Sequence, residues 1–240
     1  MTEIQRFGDS ALLINFEQKI DILINEKVIA LGKKIQSGFH SEIKFITPAY
    51  CSLAVGFDSN KISFDALSQM IKRLSENIHN NENLSKSFRK LKIPVCYKLP
   101  YSIDFQELNN QIQLTEKEII HLHTSTEFRV FMLGFLPGFP YMGKLPKALF
   151  CQRKKTPRLK VPKNSVGLAG SQTGIYPSEA PGGWQIIGRT PIPVFDTRSE
   201  NPFLFRAGDS VRFYSISESD FMNIEKDVRK GNFKKESLYE

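Results

Sequence analysis

The residues best suited to acid–base chemistry are an imidazole and a carboxylate four positions apart. His123 and Glu127 belong to the segment His-Thr-Ser-Thr-Glu, and residues at i and i+4 share one face of a helix. Such a pair can act as a general acid and a general base. It can equally be an exposed ion pair or a helix cap, and the shared face requires that the helix continue through Glu127.

Further polar side chains stand in two glycine-rich segments, residues 167–177 and 180–190. Closely spaced glycines let a backbone approach another backbone or a ligand. In a regular strand after Gly183, Gln185 and Arg189 point to the same side and can share a surface. These side chains can instead stabilise turns, and the residues alone leave both interpretations open.

One segment imitates a phosphate-binding loop. Gly138, Gly143 and Lys144 have the spacing G-x-x-x-x-G-K, but Leu145 stands where the motif needs a hydroxyl for Mg²⁺. Pro140 removes a backbone N–H donor from the loop. We therefore expect no P-loop. The glycine turns typical of serine hydrolases and of dinucleotide-binding enzymes do not occur in the sequence.

Cysteine and histidine spacing predicts neither a metal site nor a disulfide framework. The three cysteines form no C-x-x-C pair, and the four histidines have no ligand spacing that joins them to carboxylates. These residues are Cys51, Cys96, Cys151, His40, His79, His121 and His123. No tightly bound cofactor is expected.

The net charge of +8 is concentrated in one segment. No acidic residue lies between Glu127 and Glu179, whereas nine basic residues do: Arg129, Lys144, Lys147, Arg153, Lys154, Lys155, Arg158, Lys160 and Lys163. This segment is either a solvated basic loop or a surface for an anion or an acidic partner. Aromatic residues do not alternate with the basic ones, so nucleic-acid binding is not expected.

Neither a membrane span nor a secretion signal is expected. Apolar stretches such as 131–135 are far shorter than the roughly 20 residues of a spanning helix. The first residues, Met-Thr-Glu-Ile-Gln-Arg, lack the basic start and apolar block of a signal peptide. The sequence therefore favours a cytoplasmic location.

The first hundred residues alternate between strand and helix patterns. Strands are predicted at 11–16, 42–47, 50–57 and 89–97, and helices at 24–35 and 64–78. The order β-α-β-β-α-β is that of a ferredoxin-like split βαβ domain.

The second half has a different pattern. A helix is predicted to begin at a capping box made by Thr115 and Glu118. After Glu127, eleven of the fifteen glycines and ten of the thirteen prolines separate short apolar runs. This pattern predicts a compact all-β barrel or sandwich without long helices, followed by a mixed-charge tail from about Glu218.

The polar and glycine-rich segments together resemble one known family. The matching segments are 123–143, Thr156-Pro-Arg158, Val161-Pro162, 165–167, 170–177, Pro181-Gly-Gly-Trp184, Ile187-Gly-Arg-Thr190 and Gly208-Asp-Ser-Val-Arg-Phe213. In this order they resemble the family of the B-type subunit of 5-oxoprolinase, allophanate hydrolase subunit 1 and KipI, over roughly residues 121–213. The sequence departs from the family pattern at Phe128, Lys163-Asn164 and Ala207, which affects loop details.

The resemblance implies an α+β protein: a small ferredoxin-like domain over residues 1–98, then a cyclophilin-like β-barrel over 99–240. It implies the B-type subunit of an ATP-dependent 5-oxoprolinase, inactive alone, which acts with the C-type and A-type subunits to open the lactam of 5-oxoproline to L-glutamate. ATP would be a co-substrate, together with Mg²⁺.

The implied site residues have distinct roles. Arg158 and Arg189 would bind a carboxylate or phosphate, Gln172 and Gln185 would bond the lactam, and His123 with Glu127 would move protons. Tyr176 and Trp184 would form the pocket wall. Two alternatives stay open: an allophanate hydrolase or urea-type carboxyltransferase subunit, and a KipI-like inhibitor of a sensor histidine kinase.

Overall fold

A four-stranded antiparallel sheet and two helices form the first of two units. In a computed structural model, which describes residues 3–39, 41–76 and 88–240, the units are Met1–Phe88 and Arg89–Glu240. The elements of the first are β1 (Glu3–Arg6), β2 (Ala11–Asn15), α1 (Ile22–Gly38), β3 (Ile43–Pro48), β4 (Ser52–Phe57) and α2 (Phe64–Glu76). The strand order is β1-β2-β4-β3, so β2 and β3 both run antiparallel to β4.

Apolar side chains at regular spacing form the core of this unit. Val28, Leu31 and Ile35 follow one another at helical spacing on α1 and are buried. They pack with Leu12 and Ile14 of β2 in one cluster. Helix α1 begins after Asp21, whose carboxylate accepts hydrogen bonds from two backbone N–H groups of the first turn.

The second unit is built on a seven-stranded sheet. Its elements are β5 (Lys90–Val95), α3 (Phe105–Ile112), α4 (Glu116–Ser125), β6 (Glu127–Leu133), β7 (Pro140–Gly143), β8 (Arg158–Val161), β9 (Ser165–Ala169), β10 (Gln172–Ile175), β11 (Ala180–Gly182), β12 (Gln185–Arg189), β13 (Ser210–Ser215) and α5 (Glu218–Lys230). The sheet has the order β12-β9-β10-β7-β6-β13-β5, and β8 pairs with β11 in a separate ribbon.

The seven-stranded sheet is curled until its two edge strands touch. Cys96, which follows β5, exchanges two backbone hydrogen bonds with Arg189 of β12, at 2.9 and 3.0 Å. Gly188 allows this approach, because a Cβ there would lie 2.8 Å from the Cys96 carbonyl oxygen. The interior is filled by side chains such as Val130, Val166 and Phe213. The curled sheet agrees with the barrel predicted for this half.

Two predictions about elements differ from the structure. The sequence pattern predicts that residues 89–97 complete the N-terminal sheet, but β5 instead pairs in parallel with β13; β1 occupies the edge position beside β2. The ferredoxin-like arrangement is therefore not confirmed, and the units divide at Phe88 rather than at residue 98. The prediction of a tail from Glu218 is wrong, because residues 218–230 form helix α5. This helix begins at a capping box made by Ser217 and Asp220.

One predicted helix start is confirmed, and two of the four histidines lie outside the described residues. The capping box of Thr115 and Glu118 is confirmed at the start of α4. His40 and His79 lie outside the described residues. Among the helices that the structure describes, none is long and apolar enough to cross a membrane.

Candidate functional site

Two of the predicted site residues, Arg158 and Gln185, meet in one polar cluster. Arg158 begins β8 and Gln185 begins β12. Two acidic residues from the start of α3, Asp104 and Glu107, connect them, together with Lys154 from the segment before β8. We call these five residues the amide cluster, after the carboxamide of Gln185.

Asp104 occupies the N-cap position of α3 but makes no side-chain capping hydrogen bond. Its carboxylate, 2% exposed, accepts instead from the Ile186 N–H at 2.7 Å, from Arg158 Nη2, and from Lys154 Nζ at 3.5 Å. The Asp104 N–H also donates to the Ile186 carbonyl at 3.1 Å. Asp104 thus pairs with the backbone N–H and carbonyl of Ile186 at the edge of β12 and binds Arg158 at the same time.

Glu107 connects the other half of the amide cluster. Its Oε1 accepts from Gln185 Nε2 at 3.1 Å, and its Oε2 is paired with Lys154 Nζ. Hydrogen bonds from Lys154 and then from Gln185 keep the pKa of the Glu107 carboxyl below its usual value. Gln185 Nε2 also donates to the Gln152 carbonyl at 3.3 Å.

Two buried polar atoms of the amide cluster lack hydrogen-bond partners within the described parts of the chain: Gln185 Oε1 and Arg158 Nη1. One is an acceptor and the other a donor. Leaving such groups unpaired is costly, so buried polar groups are normally paired with protein, ordered water or a ligand. The cluster can therefore accept one hydrogen bond from a ligand and donate one to it.

Tyr176 and Trp184 pack against a shared neighbour close to β8. Both are buried, and their rings lie edge-on to Phe139, with centroids 5.2 and 5.3 Å from it. Burial raises the pKa of the Tyr176 phenol. Gly182, which pairs with Arg158 across the ribbon, leaves room for the Tyr176 hydroxyl, because a Cβ there would collide with it. Their role as a pocket wall stays a prediction.

A shallow depression of about 570 Å³ lies beside the amide cluster and is lined in part by Gln152, whose carbonyl binds Gln185. Its full lining is Gln111, Phe150, Cys151, Gln152, Gly170 and Ser171. Burial raises the pKa of the Cys151 thiol to about 12, so this sulfur stays protonated at neutral pH and is a poor nucleophile.

His123 lies in the interior of the second unit. Its Nδ1 is 2.8 Å from the Tyr97 hydroxyl and its Nε2 is 3.0 Å from Thr173 Oγ1, while its ring stacks on Phe213 at 4.4 Å. The Thr173 hydroxyl donates to the Gly167 carbonyl, so Nε2 carries the proton and Nδ1 accepts from Tyr97. Burial lowers the pKa of His123 to about 3, which keeps the ring neutral.

Glu127 does not share a helical face with His123. Helix α4 ends at Ser125, and Glu127 begins β6 on the surface. Its carboxylate accepts from the Ser210 hydroxyl and lies 3.4 Å from the Arg212 guanidinium. The shared face expected from the spacing is wrong because a strand begins where a further helical turn was required.

Arg189 and Gln185 lie on one strand without sharing a surface. A register shift between Ile186 and Gly188 interrupts the alternation of β12. The Arg189 side chain reaches away to the Lys163 carbonyl, at 2.9 Å. Gln172 begins β10 elsewhere in the sheet, opposite Gly143 of β7.

No sequence pattern predicts the roles of Asp104 and Glu107 in the amide cluster. The same holds for Tyr97 and Thr173 beside His123. An acidic residue before a helix followed by Glu three positions later is typical of capping, so this pattern conceals the tertiary role of Asp104 and Glu107.

The basic segment is partly neutralised by carboxylates that lie elsewhere in the sequence. Lys154 and Arg158 are paired with acidic residues at the start of α3, and Lys160 lies 3.3 Å from Glu179. In the described residues, no group of three or more His, Cys, Asp and Glu side chains could hold a metal ion.

Comparison with known proteins assigns the family. A family model described as "Carboxyltransferase domain, subdomain C and D" matches residues 2–205. The chain belongs to this carboxyltransferase-domain family. It is 39% identical over 229 residues to the B-type subunit of 5-oxoprolinase from Bacillus subtilis (strain 168), covering 91% of this chain and 95% of that protein. The resemblance noted in the sequence is confirmed.

Two further comparisons place this carboxyltransferase domain in larger chains. Urea amidolyase of Lachancea kluyveri is 28% identical over 95% of this chain, which spans only 13% of that protein. The solved structure of TTHA0988 superimposes with a TM-score of 0.77 at 31% identity. That comparison covers 86% of this chain and 40% of TTHA0988, so the chain spans about two fifths of the solved protein.

Proposed function

We propose that this chain is the B-type subunit of an ATP-dependent 5-oxoprolinase, which opens the lactam of 5-oxoproline to L-glutamate. The observation that carries the proposal is the match to the B-type subunit of 5-oxoprolinase along nearly the whole length of both chains. The C-type and A-type subunits would complete the enzyme, which we place in the cytoplasm, where ATP is supplied. This subunit is expected to be inactive alone.

The chemistry explains why ATP would be consumed. The planar amide of a lactam is a poor electrophile, and phosphorylation of its oxygen makes the carbonyl carbon easier for water to attack. Hydrogen bonds that hold the amide and stabilise developing charge lower the barrier further. Arg158 and Gln185 supply hydrogen-bonding groups that would hold the neutral lactam in the amide cluster before this phosphorylation. ATP and Mg²⁺ belong to the assembled enzyme in this proposal.

The remaining site assignments stay predictions. His123, Glu127 and Arg189 occupy three separate places in the second unit, with different hydrogen-bond partners. They would therefore act at separate places. His123 would act from the interior, through its contacts with Tyr97 and Thr173. Glu127 and Arg189 would act from their own positions beside Ser210 and Lys163.

A second candidate is a subunit that acts on a urea-derived amide. The similarity to urea amidolyase over 95% of this chain favours it, and urea shares the planar N–H and carbonyl groups of a lactam.

The test is release of glutamate and phosphate from 5-oxoproline and ATP. This chain would be assayed alone, with the C-type subunit, and with the C-type and A-type subunits together; activity only in the complete mixture is expected. Gln185→Leu should reduce turnover at least tenfold, since it removes a ligand-facing amide. Glu179→Gln, which changes an exposed ion pair with Lys160, is the matched control.

Other outcomes select other functions. Turnover of urea-derived amides without turnover of 5-oxoproline would favour the second candidate. Failure to bind the C-type subunit, together with inhibition of a sensor histidine kinase, would replace both enzymatic proposals with the KipI-like role.

A further inference from the structure

We infer that Asp104 and Glu107 are positioning residues that fix Gln185 and Arg158 as a binding site for a neutral amide group. The choice of a lactam as probe rests on the proposed function. The site offers one hydrogen-bond acceptor to the ligand's N–H and one donor to its carbonyl, and it excludes phosphate.

The orientation of Gln185 is set by the two acceptors that surround its nitrogen. Nε2 carries two hydrogens, and it donates to Glu107 Oε1 and to the Gln152 carbonyl. Since both N–H groups are used, Oε1 is the only group of this carboxamide left for a ligand. The side chain is 0% exposed, and Oε1 has no partner among the described residues.

Asp104 fixes Arg158 relative to Gln185. One carboxylate oxygen holds Arg158 Nη2, and the other accepts from the N–H of Ile186, the residue after Gln185. The guanidinium is planar and rigid, so the hold on Nη2 also sets the direction of Nη1. Nη1 is the buried donor without a partner in the described chain.

Charge selects the class of ligand. The cluster contains two carboxylates and two cations, paired as Asp104 with Arg158 and Glu107 with Lys154. A phosphate or carboxylate placed here would add an uncompensated buried negative charge, which is costly. A neutral amide adds none. A small lactam carries both complementary groups on one edge: an N–H that can donate to Gln185 Oε1 and a carbonyl that can accept from Arg158 Nη1.

The side from which a ligand enters follows from exposure. The Glu107 side chain is 51% exposed and Lys154 is 15% exposed, whereas Gln185 and Asp104 are buried. The amide cluster therefore meets solvent at Glu107 and Lys154, and also at Arg158, whose side chain is 24% exposed. A ligand entering from this side displaces Lys154 from Glu107.

The experiment measures binding of 2-pyrrolidinone to the full chain by ligand-observed NMR. N-methyl-2-pyrrolidinone lacks the N–H for Gln185 Oε1 and should bind about tenfold more weakly. Inorganic phosphate should not compete with 2-pyrrolidinone. This ligand series uses the wild-type chain only, so it does not depend on the folding of any variant.

Two variants test the positioning roles. Glu107→Gln releases the hold on the Gln185 carboxamide and should reduce the discrimination between the two lactams to less than about threefold. Asp104→Asn leaves the Arg158 charge uncompensated and should create phosphate binding that the wild type lacks, which a purely structural role would not do. Glu179→Gln should behave as wild type, and circular dichroism checks the fold of each variant.

Equal affinity for both lactams, competition by phosphate in the wild type, or no binding of 2-pyrrolidinone would each overturn the inference. Glutamate release by the assembled enzyme, without lactam binding by this chain, would leave the proposed function standing and place amide recognition elsewhere. Lactam binding without glutamate release would overturn the proposed function alone.

Discussion

Replacing His123 by glutamine should reduce the amount by which the free energy of unfolding of the second unit falls at acidic pH. His123 is fully buried, and burial lowers its pKa from 6.5 to about 3. In the unfolded chain the same imidazole takes up a proton below about pH 6.5. The unfolded state therefore binds more protons than the folded state between these two values, and stability falls as the pH falls.

The size of the effect follows from the two pKa values. Each pH unit well inside this window costs about 1.4 kcal/mol, so the loss is about 2 kcal/mol from pH 7 to pH 5 and about 5 kcal/mol in all. The groups that face the ring do not offset this. Phe128 and Phe213 are uncharged, and burial raises the pKa of Tyr97, which keeps that phenol protonated.

Urea unfolding followed by tryptophan fluorescence measures this loss. Trp184 is the single tryptophan and lies in the same unit as His123. His123→Gln should be less stable at pH 7, because Tyr97 and Thr173 lose an imidazole partner, but its stability should fall about 2 kcal/mol less than wild type between pH 7 and pH 5. His121→Gln, at an exposed position of the same helix, is the control. Equal pH slopes in wild type and His123→Gln would contradict this account of the buried imidazole.

Three further predictions concern the second unit and the assembled enzyme. Arg89→Ala should cost about 3–5 kcal/mol in the free energy of unfolding, because it leaves the buried Asp209 carboxylate without its cation. Arg198→Ala, at an exposed pair, should leave the free energy of unfolding nearly unchanged, and urea titration compares the two. Gly188→Ala should lower stability by about 1–3 kcal/mol through collision with the opposing backbone, and Gly38→Ala, where a Cβ meets nothing within 4 Å, should not; thermal melting measures both. Arg189→Ala should abolish glutamate release by the assembled enzyme with an unchanged circular dichroism spectrum, and unchanged turnover would remove Arg189 from the site.

Local signals in the sequence were reliable where a short segment contains its own partner. The capping box of Thr115 and Glu118 forms as predicted, because both residues belong to one helical turn. The Ser217–Asp220 box has the same geometry, but the strongly charged residues around it favour a tail over a helix in the sequence pattern. The pattern at 89–97 predicts a strand, which the structure has at 90–95, but it does not predict the correct sheet, since pairing with β13 joins residues about 120 positions apart.

The sequence predicts which residues carry useful chemical groups better than it predicts which of them lie close together. Arg158 belongs to the basic segment and Gln185 to a glycine-rich segment, and the structure brings them together through Asp104 and Glu107. The basic segment lacks acids of its own, but its charge is partly compensated by carboxylates that are distant in sequence. Arg158 consequently offers a hydrogen bond rather than a free charge, which composition could not show.

The motif segments predict the family through their resemblance to a known one, and short-range spacing predicts the apolar faces of the helices and the glycine-rich strands, because each of these depends on neighbours along the chain. Which polar residues form a site was settled only by folding. A single bulge in β12 separates Arg189 from Gln185, and the end of α4 at Ser125 separates His123 from Glu127. Where a side chain points depends on strand register and on where a helix ends, and both are set by packing against distant parts of the chain.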